Sequence, residues 1–143
     1  MEQLKIGIVI LNYLTYELTI KCLKLLNDIN YKNFFVVVVD NNSPNNSYEF
    51  INDFVRKNKL IIDIEIVRSE KNGGYSYGNN LGVQMAQLRD PDYILIMNND
   101  IEFNRNFLID MAQFINNNKD VTMIGPGIIE TKRTIEIPHR INR

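Results

Sequence analysis

The sequence has little of three features that often reveal where a protein works: cysteine, charge of one sign and long apolar runs. Its single cysteine, Cys22, excludes an internal disulfide and fits a reducing compartment, so the cytoplasm is the expected location. The 16 basic and 17 acidic residues nearly cancel, which excludes a broad positive surface for nucleic acid. The longest strictly apolar run, residues 34–39, is far shorter than the roughly 20 residues that a membrane-spanning helix needs. Because the charges nearly cancel, any phosphate site must be a local one.

Short β-branched and aromatic runs alternate with segments of helical spacing along the chain. The runs at residues 5–11 and 34–40 show no polar and apolar alternation, which is typical of strands covered on both faces. Such strands are parallel, and the crossovers between them are right-handed. We therefore predict an α/β fold, a doubly wound and mostly parallel sheet with helices on both faces. The predicted strands lie at residues 5–11, 34–40, 60–67, 92–98 and 121–126.

Polar residues follow each of the first four predicted strands. In a parallel sheet the carboxyl ends of the strands meet at one edge, and ligands bind beyond that edge. Loops after strands are polar in most proteins, so each position alone is weak evidence, whereas together they predict a binding site. The residues concerned are Asn12 and Tyr13, residues 40–42, residues 68–74 and residues 98–100.

The segment KNGGYSYGNNLG, residues 71–82, places two glycines just ahead of a helix predicted over residues 76–88. Glycines let the backbone approach a ligand closely, and the N-terminus of a helix can hold an anion. The spacing matches neither the dinucleotide fingerprint nor the Walker loop, and no Lys-Ser or Lys-Thr pair follows. The sequence thus disfavours these two classes of nucleotide-binding protein.

Four segments occur in the order seen in glycosyltransferase family 2: IVILNYLTYELTIKCLKLL, VVVVDNNSPNNS, KNGGYSYGNNLG and YILIMNND. Through them, residues 5 to about 140 resemble the nucleotide-sugar half of that family's GT-A fold, particularly rhamnosyltransferase-like members from bacterial surface-polysaccharide clusters. The resemblance implies binding of a UDP- or dTDP-sugar for transfer, with inversion, to a saccharide or lipid-linked acceptor. It also implies a cytoplasmic protein that is peripheral to the inner face of the membrane at full length.

The resemblance further implies roles for residues at the predicted sheet edge. Asn98, Asn99 and Asp100 occupy the position of the family's Asp-x-Asp motif. Asp100 would ligate a divalent cation, Mg²⁺ or Mn²⁺, bound together with the nucleotide, because these ions prefer oxygen ligands and need few protein carboxylates. Asp40 would accept a hydrogen bond from the imino group of the base, and Asn98 would bond the ribose. The implied nucleotide-binding set is Asn12, Tyr13, Asp40, Asn72, Gly74, Asn80 and Asn98.

No catalytic base is assigned within the chain. Inverting members of the family use a carboxylate well downstream of the metal motif, and the acids after Asp100 lie too close to it or within helices and strands. We therefore interpret residues 1–143 as a single nucleotide-sugar-binding domain without the acceptor-binding part, and expect this segment alone to transfer no sugar. The unfinished edge of its sheet is expected to pair with a second copy, because unpaired strand edges promote association.

Two other classes of protein remain as alternatives. A nucleotidyltransferase also combines a doubly wound sheet with a metal, but it usually has a basic, glycine-rich loop after its first strand, and NYLTYE contains no Gly, Lys or Arg. A non-catalytic, receiver-like domain would use Asp40 as a phosphoacceptor. Such domains carry paired acids after the first strand, and LNYLTY contains none.

Overall fold

The computed structural model describes residues 3–130, 133–135 and 141–142. The chain forms two compact units, Met1–Arg105 and Asn106–Arg143. In the part of the chain that is described, no helix has the length and apolar content to cross a bilayer.

The first unit alternates strands and helices around a four-stranded sheet. Its elements, in chain order, are β1 (Ile6–Asn12), α1 (Tyr16–Asn27), β2 (Phe34–Asp40), α2 (Ser47–Lys57), β3 (Asp63–Arg68), α3 (Gly74–Gln87) and β4 (Tyr93–Asn98). The strand order is β3-β2-β1-β4, and every neighbouring pair is parallel. The predicted parallel α/β sheet is therefore confirmed for the first four strands.

The two faces of the sheet are buried by different helices. Val9, Phe35 and Val37 form a core with Ala86 of α3 on one face. Successive side chains of a strand point to opposite faces, so Ile8 and its alternating neighbours face the other side, where α1 contacts β1. The central strands are buried on both sides, which explains their unbroken apolar runs. The fully buried residues of the second face are Ile8, Ile10, Val36 and Val38.

Helix α3 lies close to the sheet because it carries glycine at the contact. A Cβ atom built on Gly82 would meet the side chain of Val9 and would lie 3.0 Å from Cγ2 of Val39. We expect Gly82→Ala to lower the free energy of unfolding by about 1–3 kcal/mol, since overpacking forces the helix away from the strands. Urea unfolding followed by circular dichroism measures the change. Gly125→Ala is the control, because a Cβ atom there meets nothing within 4 Å; an equal loss in both variants would contradict the close-approach argument.

Cys22 lies on the buried face of α1, where its side chain is 1% exposed. Burial raises the pKa of its thiol to about 12, and the negative charge of Asp100 acts in the same direction. The reactive species is the thiolate, so we expect no labelling of the folded chain by a thiol reagent at about pH 8 and complete labelling in denaturant. Rapid labelling under native conditions would show that the α1 face opens readily.

The second unit contains one helix and four short strands in its described part. They are α4 (Phe107–Asn117), β5 (Val121–Met123), β6 (Ile128–Glu130), β7 (Arg133–Ile135) and β8 (Ile141–Asn142). Strand β5 pairs antiparallel with β8, and β6 pairs antiparallel with β7. The predicted fifth strand over residues 121–126 is thus shorter than expected and does not extend the parallel sheet. Pro126 follows it closely, and proline supplies no backbone donor for strand pairing.

Candidate functional site

The parallel register aligns the carboxyl ends of the strands in the first unit. Asn12 of β1 pairs with Asp40 of β2, and Leu11 pairs with Asn98 of β4. Asp40 in turn pairs with Arg68 at the end of β3. The loops that follow these strands therefore meet at one edge, as the topology predicts.

Asp40 is fully buried and is occupied by donors from its own chain. The Asn12 side-chain amide donates to Asp40 Oδ1 at 2.8 Å, and the Ser43 hydroxyl donates to the same oxygen at 2.6 Å. The backbone N–H of Ser43 donates to Asp40 Oδ2 at 3.0 Å. Asn12 is buried too, and its Oδ1 accepts from the Thr19 hydroxyl at 2.8 Å. This geometry fits a residue pair that joins two loops, and such a carboxylate is poorly placed to act as a phosphoacceptor.

The loop after β1 is held in a conformation that leucine rarely adopts. Leu14 has a φ of 65°, in the left-handed region. Its N–H donates to the Ser43 hydroxyl oxygen at 3.0 Å, and its carbonyl accepts from the Asn45 amide at 2.9 Å. Strained residues persist where the surroundings fix them, and they cluster at functional sites. Next to it Tyr13, a predicted nucleotide contact, is 42% exposed and faces solvent.

Asn41 connects the loop after β2 to the start of α3. Its side-chain amide donates to Asn72 Oδ1 at 2.9 Å and to the carbonyl of Gly74 at 3.2 Å. Asn72 Oδ1 also accepts from the backbone N–H of Gly74 at 3.0 Å. Gly74 has a φ of 85°, which glycine adopts without strain, and α3 begins there rather than at the predicted residue 76.

The oxygen of the Asn41 amide is left without a partner. Asn41 is 3% exposed, and its Oδ1 has no hydrogen-bond partner among the described residues. A buried polar atom normally has one, so an unpaired acceptor at a strand end is a candidate ligand contact. The sequence indicated residues 40–42 as a group, and the family resemblance implied a base contact for Asp40, which stays a prediction. Sequence reasoning did not single out Asn41. Successive side chains of an extended chain alternate in direction, and Asn41 accordingly has other hydrogen-bond partners than Asp40.

The two asparagines in the middle of α3 differ in exposure. Asn80, which the family resemblance indicated as a nucleotide contact, is exposed on the helix. Asn79 is 4% exposed; its amide donates to the carbonyl of Tyr75 at 3.1 Å, and its Oδ1 has no partner among the described residues. The helix therefore presents Asn80 to solvent and encloses Asn79.

The side chains of Asn98, Asn99 and Asp100, at the end of β4 and just after it, differ in their contacts. Asn98 is exposed, and its Oδ1 accepts from the Tyr75 hydroxyl at 3.1 Å. The Asn99 amide donates to the hydroxyl oxygens of Thr15 and Thr19, each at 2.9 Å, and thereby ties this loop to α1. Asp100 is exposed, and no hydrogen bond or ion pair engages it within the described chain.

A neighbouring acid shows how Asp100 differs from an ordinary surface carboxylate. Glu102 accepts from the Lys21 ammonium group at 2.7 Å, and this bond lowers the pKa of Glu102. The described residues contain no group of three acidic, histidine or cysteine side chains that could hold a metal ion. The exposed carboxylate of Asp100 could hold Mg²⁺ or Mn²⁺ if phosphate and water completed the coordination.

The chain is similar to known glycosyltransferases in sequence and in fold. The chain is 23% identical over 120 residues to the glycosyltransferase GlyG of Streptococcus pneumoniae serotype 4, and the match covers 84% of this chain and 38% of GlyG. The fold resembles a mannosyltransferase, PcManGT from Pyrobaculum calidifontis in complex with GDP-Man and Mn²⁺, with a TM-score of 0.72 and 15% identity over 80% of this chain and 33% of that one.

A second solved structure gives the same fold. S. aureus TarS, in complex with UDP-GlcNAc, has a TM-score of 0.70 and 23% identity, covering 89% of this chain and 37% of that chain. These similarities confirm the predicted GT-A fold. The chain spans less than two fifths of the length of each of these three relatives. The family description Glycosyl transferase family 2 matches residues 6–142, nearly the whole chain, so this chain belongs to glycosyl transferase family 2.

Proposed function

We propose that this chain binds a nucleoside-diphosphate sugar at the carboxyl edge of its four-stranded sheet, as the donor side of a glycosyltransferase. The observation that carries the proposal is the exposed carboxylate of Asp100 just after β4, which no described residue engages. The strand ends of β1 and β2 lie alongside, with Asn41 and Gly74 joined by a hydrogen bond.

The base contact is proposed for Asn41, with Asp40 as a positioning residue. Two acceptors, Asn72 Oδ1 and the Gly74 carbonyl, fix the Nδ2 of the Asn41 amide on the protein side. Its Oδ1 can then only accept, so it favours a base that offers an N–H group. Uracil and thymine carry an imino N–H at N3, whereas cytosine has an acceptor at N3 and carries its donors on the exocyclic amino group. Among pyrimidine nucleotides, UDP- and dTDP-sugars are therefore the donors that this arrangement favours.

The remaining predicted contacts surround the ribose and diphosphate. Tyr13 is exposed in the loop after β1, Asn80 is exposed on helix α3, Asn98 ends β4, and Gly74 opens α3. The N-terminus of a helix carries partial positive charge, which favours a phosphate group nearby. These assignments, with Asn12 beneath them as part of the buried network, are proposals for the bound state.

Asp100 would hold the divalent cation together with oxygen atoms of the diphosphate. A single carboxylate suffices, because Mg²⁺ commonly takes one or two protein carboxylates plus phosphate and water. When bound, the cation stabilises the negative charge on the departing nucleoside diphosphate. Since the described residues contain no group of three side chains that could hold the cation alone, metal and nucleotide are expected to bind together.

The whole protein's reaction is proposed from the family alone. It would transfer the sugar, with inversion, to a saccharide or lipid-linked acceptor, and a lipid-linked acceptor would bring it to the inner face of the membrane from the cytoplasm. Rhamnose as the sugar, a separate acceptor-binding part and pairing of two copies through a sheet edge stay predictions.

Calorimetric titration of the 143-residue chain tests nucleotide binding directly. We expect heat with UDP and with dTDP, and tighter binding of both when Mn²⁺ is present. CDP is the matched control, and we expect it to bind roughly tenfold more weakly because cytosine has an acceptor at N3, where uracil and thymine offer an N–H to Asn41 Oδ1. Absence of heat with all three nucleotides at millimolar concentration, from a sample with a cooperative unfolding transition, would refute the proposed site.

A further inference from the structure

A hydrogen bond between Tyr75 and Asn98 joins the first turn of α3 to the end of β4. The Tyr75 hydroxyl donates to Asn98 Oδ1 at 3.1 Å. The backbone of Tyr75 is also fixed, because its carbonyl accepts from the buried side-chain amide of Asn79 at 3.1 Å. Tyr75 remains 60% exposed, so the contact is a bond at the hydroxyl rather than a packed aromatic core.

A tyrosine hydroxyl can donate or accept, and here it donates to the oxygen of the Asn98 amide, which leaves the other end of that amide for a ligand. An asparagine side chain has one acceptor oxygen and one NH₂ group with two donors. With Oδ1 engaged by a hydroxyl donor, the exposed group is the NH₂. Its neighbour Asn99 is directed to Thr15 and Thr19 instead, so Asn98 is the motif amide that faces the α3 side.

We propose that Tyr75 is a positioning residue that orients Asn98, so that the site offers amide N–H donors, and not a carboxylate, to an oxygen atom of the bound nucleotide. The inference rests on the proposed function. An aspartate at this position would only accept hydrogen bonds and would add a negative charge beside a diphosphate. The neutral donor instead attracts the phosphate or ribose oxygens and leaves Asp100 as the one carboxylate of the motif.

Calorimetry with UDP, in the absence of metal, tests the orientation. We expect Tyr75→Phe to raise the Kd roughly three- to tenfold, because the Asn98 amide then loses the bond that fixes it. Asn98→Asp is expected to raise the Kd by about tenfold, since two donors are exchanged for a charge. The decisive variant combines both: a carboxylate has two equivalent oxygens and no donor to orient, so Tyr75→Phe should cost nothing further in that background.

A merely structural role of Tyr75 gives a different pattern. If the hydroxyl only anchors α3 to β4, Tyr75→Phe weakens UDP binding equally in the unsubstituted chain and in the Asn98→Asp variant, and this result overturns the inference. Tyr77→Phe is the matched control, since it removes a hydroxyl from the same helix without removing the bond to Asn98, and it should leave the Kd unchanged. If the unsubstituted chain binds no UDP, both the proposed function and this inference fail. If the unsubstituted chain binds UDP and Tyr75→Phe binds it equally well, only the inference is overturned.

Discussion

Asp40→Ala is expected to lower the free energy of unfolding by about 3 kcal/mol, although Asp40 belongs to the loop edge of the sheet rather than to its apolar core. The substitution leaves the Asn12 amide and both donor groups of Ser43 buried without their acceptor. Each unsatisfied buried group is destabilising because it has lost water and gains no partner in exchange. The substitution also removes the carboxylate that fixes the Ser43 hydroxyl, and this hydroxyl oxygen accepts from the N–H of Leu14.

Urea unfolding of the wild-type and substituted chains measures this loss. Asp53→Ala is the matched control: its carboxylate bonds Lys57 on the exposed surface of α2, and exposed ion pairs contribute little. We expect the control to unfold at the wild-type urea concentration, and Asp40→Ala to unfold at a clearly lower one. Equal midpoints for the two variants would show that the buried network does not hold the loops, and would return Asp40 to the role of a ligand contact.

The sheet was predictable because its strands leave few alternatives. Apolar runs such as residues 34–39 are too short for a membrane helix and lack the period of an amphipathic one, so only a strand buried on both faces fits them. The same reasoning fails for residues 121–126, where a three-residue strand depends on a distant partner at residues 141–142. Pairing of that kind is a tertiary property, which local pattern does not encode.

The location of the candidate site could be predicted from the sequence, whereas the orientation of its individual side chains could not. Parallel topology brings Asn12, Asp40 and Asn98 to one edge whatever their side chains do. Asp40 and Asn41 are both buried, but a shift of one residue along the chain separates the paired carboxylate of Asp40 from the Asn41 Oδ1, which has no partner among the described residues. Helical phase separates buried and exposed asparagines of α3 in the same way. Composition alone does not show which of the neighbouring asparagines in α3 are buried and which are exposed.

Backbone strain was equally hidden from the sequence. Nothing in NYLTYE indicates that Leu14 adopts a left-handed conformation, which is usual for glycine or asparagine. The conformation follows from contacts made across the fold, by Ser43 and Asn45 in the loop after β2. Local propensity therefore predicts the elements here, while the loop geometry that carries the proposed function arises from the network around Asp40.

Asp100→Asn is expected to abolish the enhancement of UDP binding by Mn²⁺ while leaving metal-free binding intact or slightly stronger. The amide keeps the size of the side chain but gives up the negative charge that a divalent cation requires. Loss of that charge also removes repulsion from the diphosphate, which accounts for the unchanged or improved metal-free affinity. In the described chain no second acid cluster can replace the missing ligand.

Glu102→Gln is the matched control for this experiment, because it removes one carboxylate charge two residues further along the same loop. Glu102 is exposed and already paired with Lys21, so its loss should leave the Mn²⁺ enhancement in place. Titrations of both variants with UDP, with and without Mn²⁺, separate a specific ligand from a general effect of negative charge. Equal loss of the enhancement in both variants would mean that the loop attracts the cation only through its overall field. Retention of the enhancement in Asp100→Asn would show that Asp100 is not the metal ligand, and the exposed carboxylate just after β4 would then need another explanation.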